Sequence, residues 1–148
     1  MRDEVNCGLF GDFKYNLRAG YYARLSTIYY MDYKHFNGNQ TIISNDDHLN
    51  SFKLLPYYGL STKDWYAELH TEHHFNGFIL NKIPLVKKLF VQEVVGFHAL
   101  VNDKTSHYFE LDFGLKNIFK FIRVDYVISF KENNRLGNGF LIGLSQEF

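Results

Sequence analysis

The chain has 148 residues, about one domain, and its 16 basic residues balance 16 acidic ones, so no electrostatic case exists for a nucleic-acid partner. A single cysteine, Cys7, excludes an internal disulfide and a cysteine-built zinc site. The longest apolar run, Gly77 to Val86, is broken by Asn81, Lys82 and Pro84 and falls well short of a spanning helix.

The first residues, Met1 to Val5, lack the apolar stretch of an export signal. Two-residue alternation then recurs in about seven segments, each roughly the 9–11 residues that a tilted strand needs to cross a bilayer. The first runs from Gly8 to Arg18 and is followed by an Ala19-Gly20 turn signal. The second runs from Ala23 to His35, with Tyr29, Met31 and Tyr33 on one face. A long polar stretch from Phe36 to Asp64 follows, too long for an idle connection, and is expected to be a functional loop.

From Trp65 to Phe75, Glu68, His70, Glu72 and His74 alternate with Ala67, Leu69 and Thr71. The link from Asn76 to Lys88 is longer than a hairpin turn, and Pro84 suits a first helical turn there. Leu89 to Val101 has an ambiguous phase, because Glu93 shares a face with Val91, Val95 and Phe97. After a polar loop, Asn102 to Ser106, the segment His107 to Lys116 sets Phe109, Leu111, Phe113 and Leu115 against Tyr108, Glu110 and Asp112. Asn117 to Lys120 reads as a turn. Phe121 to Lys131 then sets Ile122, Val124, Tyr126, Ile128 and Phe130 against Arg123, Asp125, Val127 and Ser129. A polar loop, Glu132 to Asn138, precedes Gly139 to Phe148, which aligns Phe140, Ile142, Leu144 and Phe148.

Short links between most of these segments predict an all-β fold, an antiparallel meander of about seven long strands. Strands of about ten residues suit a membrane barrel better than a small sandwich, whose strands are typically 5–6 residues. With the C-terminus taken as periplasmic, the loops Phe36–Asp64, Asn102–Ser106 and Glu132–Asn138 fall on the outer side. Short turns inside and longer loops outside are the pattern of outer-membrane barrels. An odd number of strands cannot close an antiparallel meander. Residues 1–148 are therefore expected to be the C-terminal segment of one larger transmembrane β-barrel, with Met1 an internal methionine.

Few residues suggest chemistry. His70 and His74, with Glu68 and Glu72, share a strand face, but positions four apart on a strand lie about 13 Å from each other, too far to share one metal ion unaided. Asp46-Asp47-His48 reads as solvated loop charge before a weak calcium site. Glu68, His70, Glu72, Glu110, Asp112, Arg123 and Asp125 are expected to form a polar ladder facing a wet lumen, with Arg123 paired across strands to Asp112 or Glu110. A hydrolase built on Glu68, His70 or Asp112 is the least favoured reading. No phosphate loop, dinucleotide fingerprint or Gly-X-Ser-X-Gly motif occurs, and no cofactor or metal is expected.

Several motifs carry a resemblance: Gly8-Leu9-Phe10-Gly11-Asp12-Phe13-Lys14-Tyr15, Met31 to Gln40, Glu72 to Gly77, Lys82-Ile83-Pro84-Leu85 and Gly114 to Asp125. In this order they resemble the C-terminal barrel of large outer-membrane proteins that carry an N-terminal carboxypeptidase-like regulatory domain. That barrel is similar to those of the outer-membrane assembly-factor (surface-antigen) superfamily. The resemblance implies a 16-stranded barrel, a location in the cell outer membrane, and a long loop folded into the lumen. It puts the tip of that loop at Phe36, Asn37, Gly38, Asn39 and Gln40. The superfamily's Arg-Gly-Phe type tip is absent there, since Asn37-Gly38-Asn39 contains no arginine; Asn-Gly suits a tight turn with positive φ. The terminal phenylalanine, with Phe140, Ile142 and Leu144 before it, resembles the signal that barrel-assembly machinery reads by strand addition. The expected partners are outer-membrane lipid, that machinery and the remaining strands of the barrel. The expected role is non-enzymatic, linked to transport or assembly of surface or outer-membrane components. The alternative is a soluble lipocalin-like barrel with an apolar interior and a small apolar ligand.

Overall fold

The computed structural model describes residues 1–23, 29–44, 48–75, 77, 91–103, 105–132 and 134–144. Seven antiparallel strands form one open sheet in chain order: β1 (Arg2–Asn6), β2 (Asp12–Tyr21), β3 (Trp65–Phe75), β4 (Gln92–Asn102), β5 (Thr105–Ile118), β6 (Ile122–Lys131) and β7 (Asn134–Leu144). The all-β meander read from alternation is thus the observed architecture, but its membership differs at the N-terminal end.

The Ala19-Gly20 signal is not a turn. β2 runs through it and pairs Ala19 with Ala67 and Gly20 with Tyr66. A glycine is needed there because the Tyr66 ring lies across the position a Cβ would take. The expected strand from Ala23 to His35 is absent among the described residues, and a short 3-10 turn occupies Tyr30–Asp32 instead. Its aromatic alternation serves ring contacts: Tyr30 packs on Tyr33 and His35, and His35 packs edge-on against Tyr58. The missing strand is made up by β1, which has no period-two pattern to betray it. Polar on most positions and exposed throughout, it is held by pairing with β2.

Because β2 pairs directly with β3, the excursion between them runs from Tyr22 to Asp64, longer than the expected 36–64. The polar loops before β5 and β7 are shorter than expected. β5 begins at Thr105 and β7 at Asn134, so both hairpins are tight. At the opposite end, the expected turn Asn117–Lys120 is present, with positive φ at Asn117, Phe119 and Lys120. Pro84, expected in a first helical turn, lies outside the described residues.

The phase of β4 resolves cleanly. Val94, Gly96, His98, Leu100 and Asn102 are buried on one face, and Glu93, Val95, Phe97, Ala99 and Val101 take the other. With this row placed, the sheet has one covered face and one bare face. The long excursion folds over the covered face. Its Phe36, Phe52 and Leu55 pack with Leu100 of β4 and Tyr108 of β5 as the buried apolar cluster. The same excursion also reaches the edge of β7, where Ser44 N–H donates to Ile142 O and Ile142 N–H donates to Ile42 O, a short parallel bridge.

Candidate functional site: a charge network beneath a loop

The covered face carries the polar ladder. Glu68, His70 and Glu72 come from β3, Glu110 and Asp112 from β5, and Arg123 and Asp125 from β6; all seven are buried. Strand alternation places them on one face, as expected. What buries them is the loop, which the alternation does not describe.

Two glycines make the network possible. β3 and β6 stand three places apart, about 14 Å along a flat sheet. Between them, Gly96 of β4 and Gly114 of β5 leave hollows. A Cβ at Gly96 would run into the Asp112 carboxylate, and one at Gly114 into Asp125. Through this gap Arg123 Nη2 reaches Glu72 Oε1 at 2.7 Å. Arg123 Nε also donates to both oxygens of Asp125 at 3.0 and 2.9 Å. Asp112, its expected partner, lies farther off at 3.9 Å, and Glu110 faces the loop instead. The register explains the shift: Asp112 stands opposite Val127, so Arg123 is displaced along β6 toward Asp125.

The loop contributes the second cation. Lys53 is buried, and its Nζ lies 2.6 Å from Asp112, 3.6 Å from Asp125 and 3.7 Å from Glu72. Its backbone N–H donates to Glu110 Oε2 at 2.7 Å, and Leu54 N–H donates to Glu110 Oε1 at 2.9 Å. Tyr108 Oη also donates to Glu110, at 2.6 Å. One carboxylate thus satisfies two loop amides that would otherwise be buried without partners. Beside Lys53, the Phe52 ring sits 4.6 Å from His70 and 5.8 Å from Tyr108.

A hydrogen-bonded chain crosses the same face. His98 Nε2 donates to Asp112 Oδ2 at 2.9 Å, which leaves His98 Nδ1 to accept from His70 Nδ1–H at 2.9 Å. His70 Nε2 then faces Glu68 Oε2 at 3.8 Å, beyond hydrogen-bond distance, and is the unsatisfied end of the chain. Glu68 is held from the other side by Arg18 at 3.4 Å and Lys34 at 3.8 Å. His74 stays with Glu72 at 3.2 Å. Among the described residues, no three His, Cys, Asp or Glu side chains converge as metal ligands.

The expected loop tip is placed differently. Phe36 joins the apolar cluster, while Asn37 O accepts from Phe52 N–H. Gly38 has no positive φ; it is glycine because the Leu55 carbonyl lies against it. Asn39 binds within its own turn, to Thr41 and Ile43. The contact with the ladder falls instead to Phe52, Lys53 and Leu54, which lie later in the same polar stretch. A signal for them existed: Phe52-Lys53-Leu54-Leu55 is an apolar knot inside a polar stretch, and such a knot in a long loop needs a surface to bury it. His98 was missed because the phase of β4 was ambiguous. Of the C-terminal residues, Phe140, Ile142 and Leu144 lie exposed on the bare face, and Phe148 is outside the described residues.

His48, at the loop's approach to this network, is buried near Ser44. Burial first, and then the Arg123 and Lys53 charges, lower its imidazole from 6.5 to about 3. Between those values the unfolded chain binds a proton that the folded chain refuses, so stability falls as pH drops below 6.5. His48→Gln is expected to flatten that loss by up to about 1.4 kcal/mol per pH unit, read from unfolding midpoints across the acid range. Parallel pH profiles for the two proteins would show that His48 has no such part.

The family described as "Family of unknown function (DUF5686) C-terminal domain" matches residues 1–115. The chain belongs to that family. No curated protein and no solved structure matches it.

Proposed function

We propose that this member of the family is a section of a transmembrane β-barrel of the cell outer membrane, with a structural and non-enzymatic role. The observation that carries the reading is the sense of the two faces. On the bare face Phe113, Phe140 and Ile142 are 53 %, 64 % and 52 % exposed, while on the covered face Glu110, Asp112 and Asp125 are 0 % exposed. Rows of exposed apolar side chains opposite a charged interior are what lipid on one side and a lumen on the other demand. Exposed aromatics also cluster at both strand ends, with Phe10, Phe119 and Phe121 at one and Tyr21 and Trp65 at the other, as an aromatic girdle requires. A lipocalin-like binder needs the opposite sense, an apolar interior, and the charged covered face weighs against it.

In this reading the loop, pinned by Lys53, narrows the lumen. Lys53 supplies the cation that the resemblance expects from arginine at a loop tip, thirteen or more residues beyond the segment first assigned to it. The β1 edge, and the β7 edge outside its bridge at Ile142, meet further strands of the barrel, and the C-terminal strand is the part offered to assembly machinery. Transport or assembly of surface components is the role such a barrel serves by analogy of fold.

The test is fractionation of the chain with and without detergent, with a hydrophobic-surface dye added to any soluble product. Recovery only in detergent is the expected result. A monodisperse, dye-silent monomer in plain buffer would overturn the membrane reading.

A further inference from the structure

The long excursion holds a cleft of about 760 Å³ that the charge network does not use, lined by His35, Asn37, Asn39, Asn50, Tyr57 and Tyr58 among others. We propose that this cleft binds a neutral oligosaccharide. Among the described residues, no Asp, Glu, Lys or Arg lines the cleft. The described part of the lining therefore holds no charge to pair with a phosphate, a carboxylate or a cation. Its one described histidine, His35, is engaged by Ser61 Oγ at 2.7 Å.

What the lining does offer is a set of carboxamides and two tyrosine rings. An amide presents donors and an acceptor together, which matches a sugar hydroxyl that both gives and takes a hydrogen bond. The amides are positioned before any ligand arrives. Asn37 Nδ2 donates to Asn50 O at 3.1 Å, Asn50 Oδ1 accepts from Asn16 Nδ2 at 2.7 Å, and Asn39 Nδ2 donates to Ile43 O at 2.9 Å. Among the described residues no hydrogen bond occupies Asn37 Oδ1 or the Tyr57 hydroxyl, so both remain for a ligand.

Tyr57 and Tyr58 supply apolar faces for the C–H side of a pyranose ring. Both are exposed and open to a ligand. Tyr58 has a φ of 62°, a conformation that a bulky side chain seldom adopts. It is kept there by Ser61 Oγ, which donates to Tyr58 O at 3.0 Å, and by the edge-on His35 ring at 4.9 Å. A strained, exposed and well-braced aromatic is a reason to look for a ligand. Lipid chains would find too many amides here, and charged groups would find no counter-charge among the described lining residues. The cleft is partly open, which suits a stretch of a longer glycan better than a sealed monosaccharide.

The experiment is saturation-transfer NMR and calorimetric titration of the chain with maltohexaose and with mannohexaose, beside hexagalacturonate as the charged comparison. A detergent without a sugar headgroup is used; if the chain proves soluble, the same titration is run in plain buffer, so failure of the membrane reading leaves this test intact. Saturable binding of at least one neutral hexasaccharide is expected, with a Kd on the order of 0.1–1 mM. Tyr57→Ala and Asn37→Ala are each expected to weaken it about tenfold, and Tyr57→Phe to retain it within about threefold. Tyr57 is half-exposed, so its loss leaves the fold intact, which an unchanged unfolding midpoint verifies. The proposal falls if neither neutral sugar binds, if only the charged sugar binds, or if Tyr57→Ala binds as tightly as the parent chain.

Discussion

Replacing Lys53 with methionine is expected to destabilise the folded chain by about 3–5 kcal/mol, the range for removing one partner of a buried charge pair. The reason is local. Lys53 Nζ stands within 4 Å of Asp112, Asp125 and Glu72, all buried. Methionine keeps most of the volume and none of the charge. Arg123 then remains as the cation amid three carboxylates, and none of these can turn to solvent beneath the loop. Lys53→Arg keeps the charge and is expected to cost much less, limited by the fit of a larger head group. Unfolding in detergent, followed by the fluorescence of Trp65, gives the difference directly. A loss below about 1 kcal/mol for Lys53→Met would mean that the network tolerates its charge imbalance by relaxation or water entry. The Lys53 and Arg123 effects should not add, since both cations share Glu72, Asp112 and Asp125.

The second large effect is expected at Glu110. Its carboxylate accepts from Lys53 N–H, Leu54 N–H and Tyr108 Oη. Glu110→Ala leaves these donors without an acceptor in a buried place, and each unsatisfied group costs about 1–3 kcal/mol. A total of about 3–5 kcal/mol is expected, together with release of the Phe52–Leu55 segment from the sheet. Glu110→Gln retains one carbonyl acceptor and should fall between the two. Hydrogen exchange separates loop release from general destabilisation: the amides of Lys53 and Leu54 should lose protection ahead of those of β4 and β5. If they stay protected in Glu110→Ala, the loop is held by its apolar cluster and the carboxylate is incidental.

The sheet was legible wherever a strand has one wet face and one greasy face. β5 and β6 show this best, because Phe109, Leu111, Phe113 and Leu115, or Ile122 through Phe130, return every second residue. The reading failed where that rule has no purchase. β1 is polar nearly throughout, and pairing with β2 is what makes it a strand. Ala23 to His35 alternates, but Tyr30 and Tyr33 serve ring contacts within the loop. Gly20 looked like a turn because glycine reports a missing side chain without saying why; here the reason is the ring of Tyr66 across the ladder.

By itself, then, the order of residues determined the fold class and which residues of β3, β5 and β6 share a face, because strand alternation is a local property with a period of two. The tertiary structure alone decided which loop residue meets the ladder, which carboxylate pairs with Arg123, and where tyrosines and amides gather into a cleft. Those are contacts between segments tens of residues apart. They depend on strand register, on the hollows left by Gly96 and Gly114, and on the path of the loop, and none of these is written in the spacing of neighbouring residues.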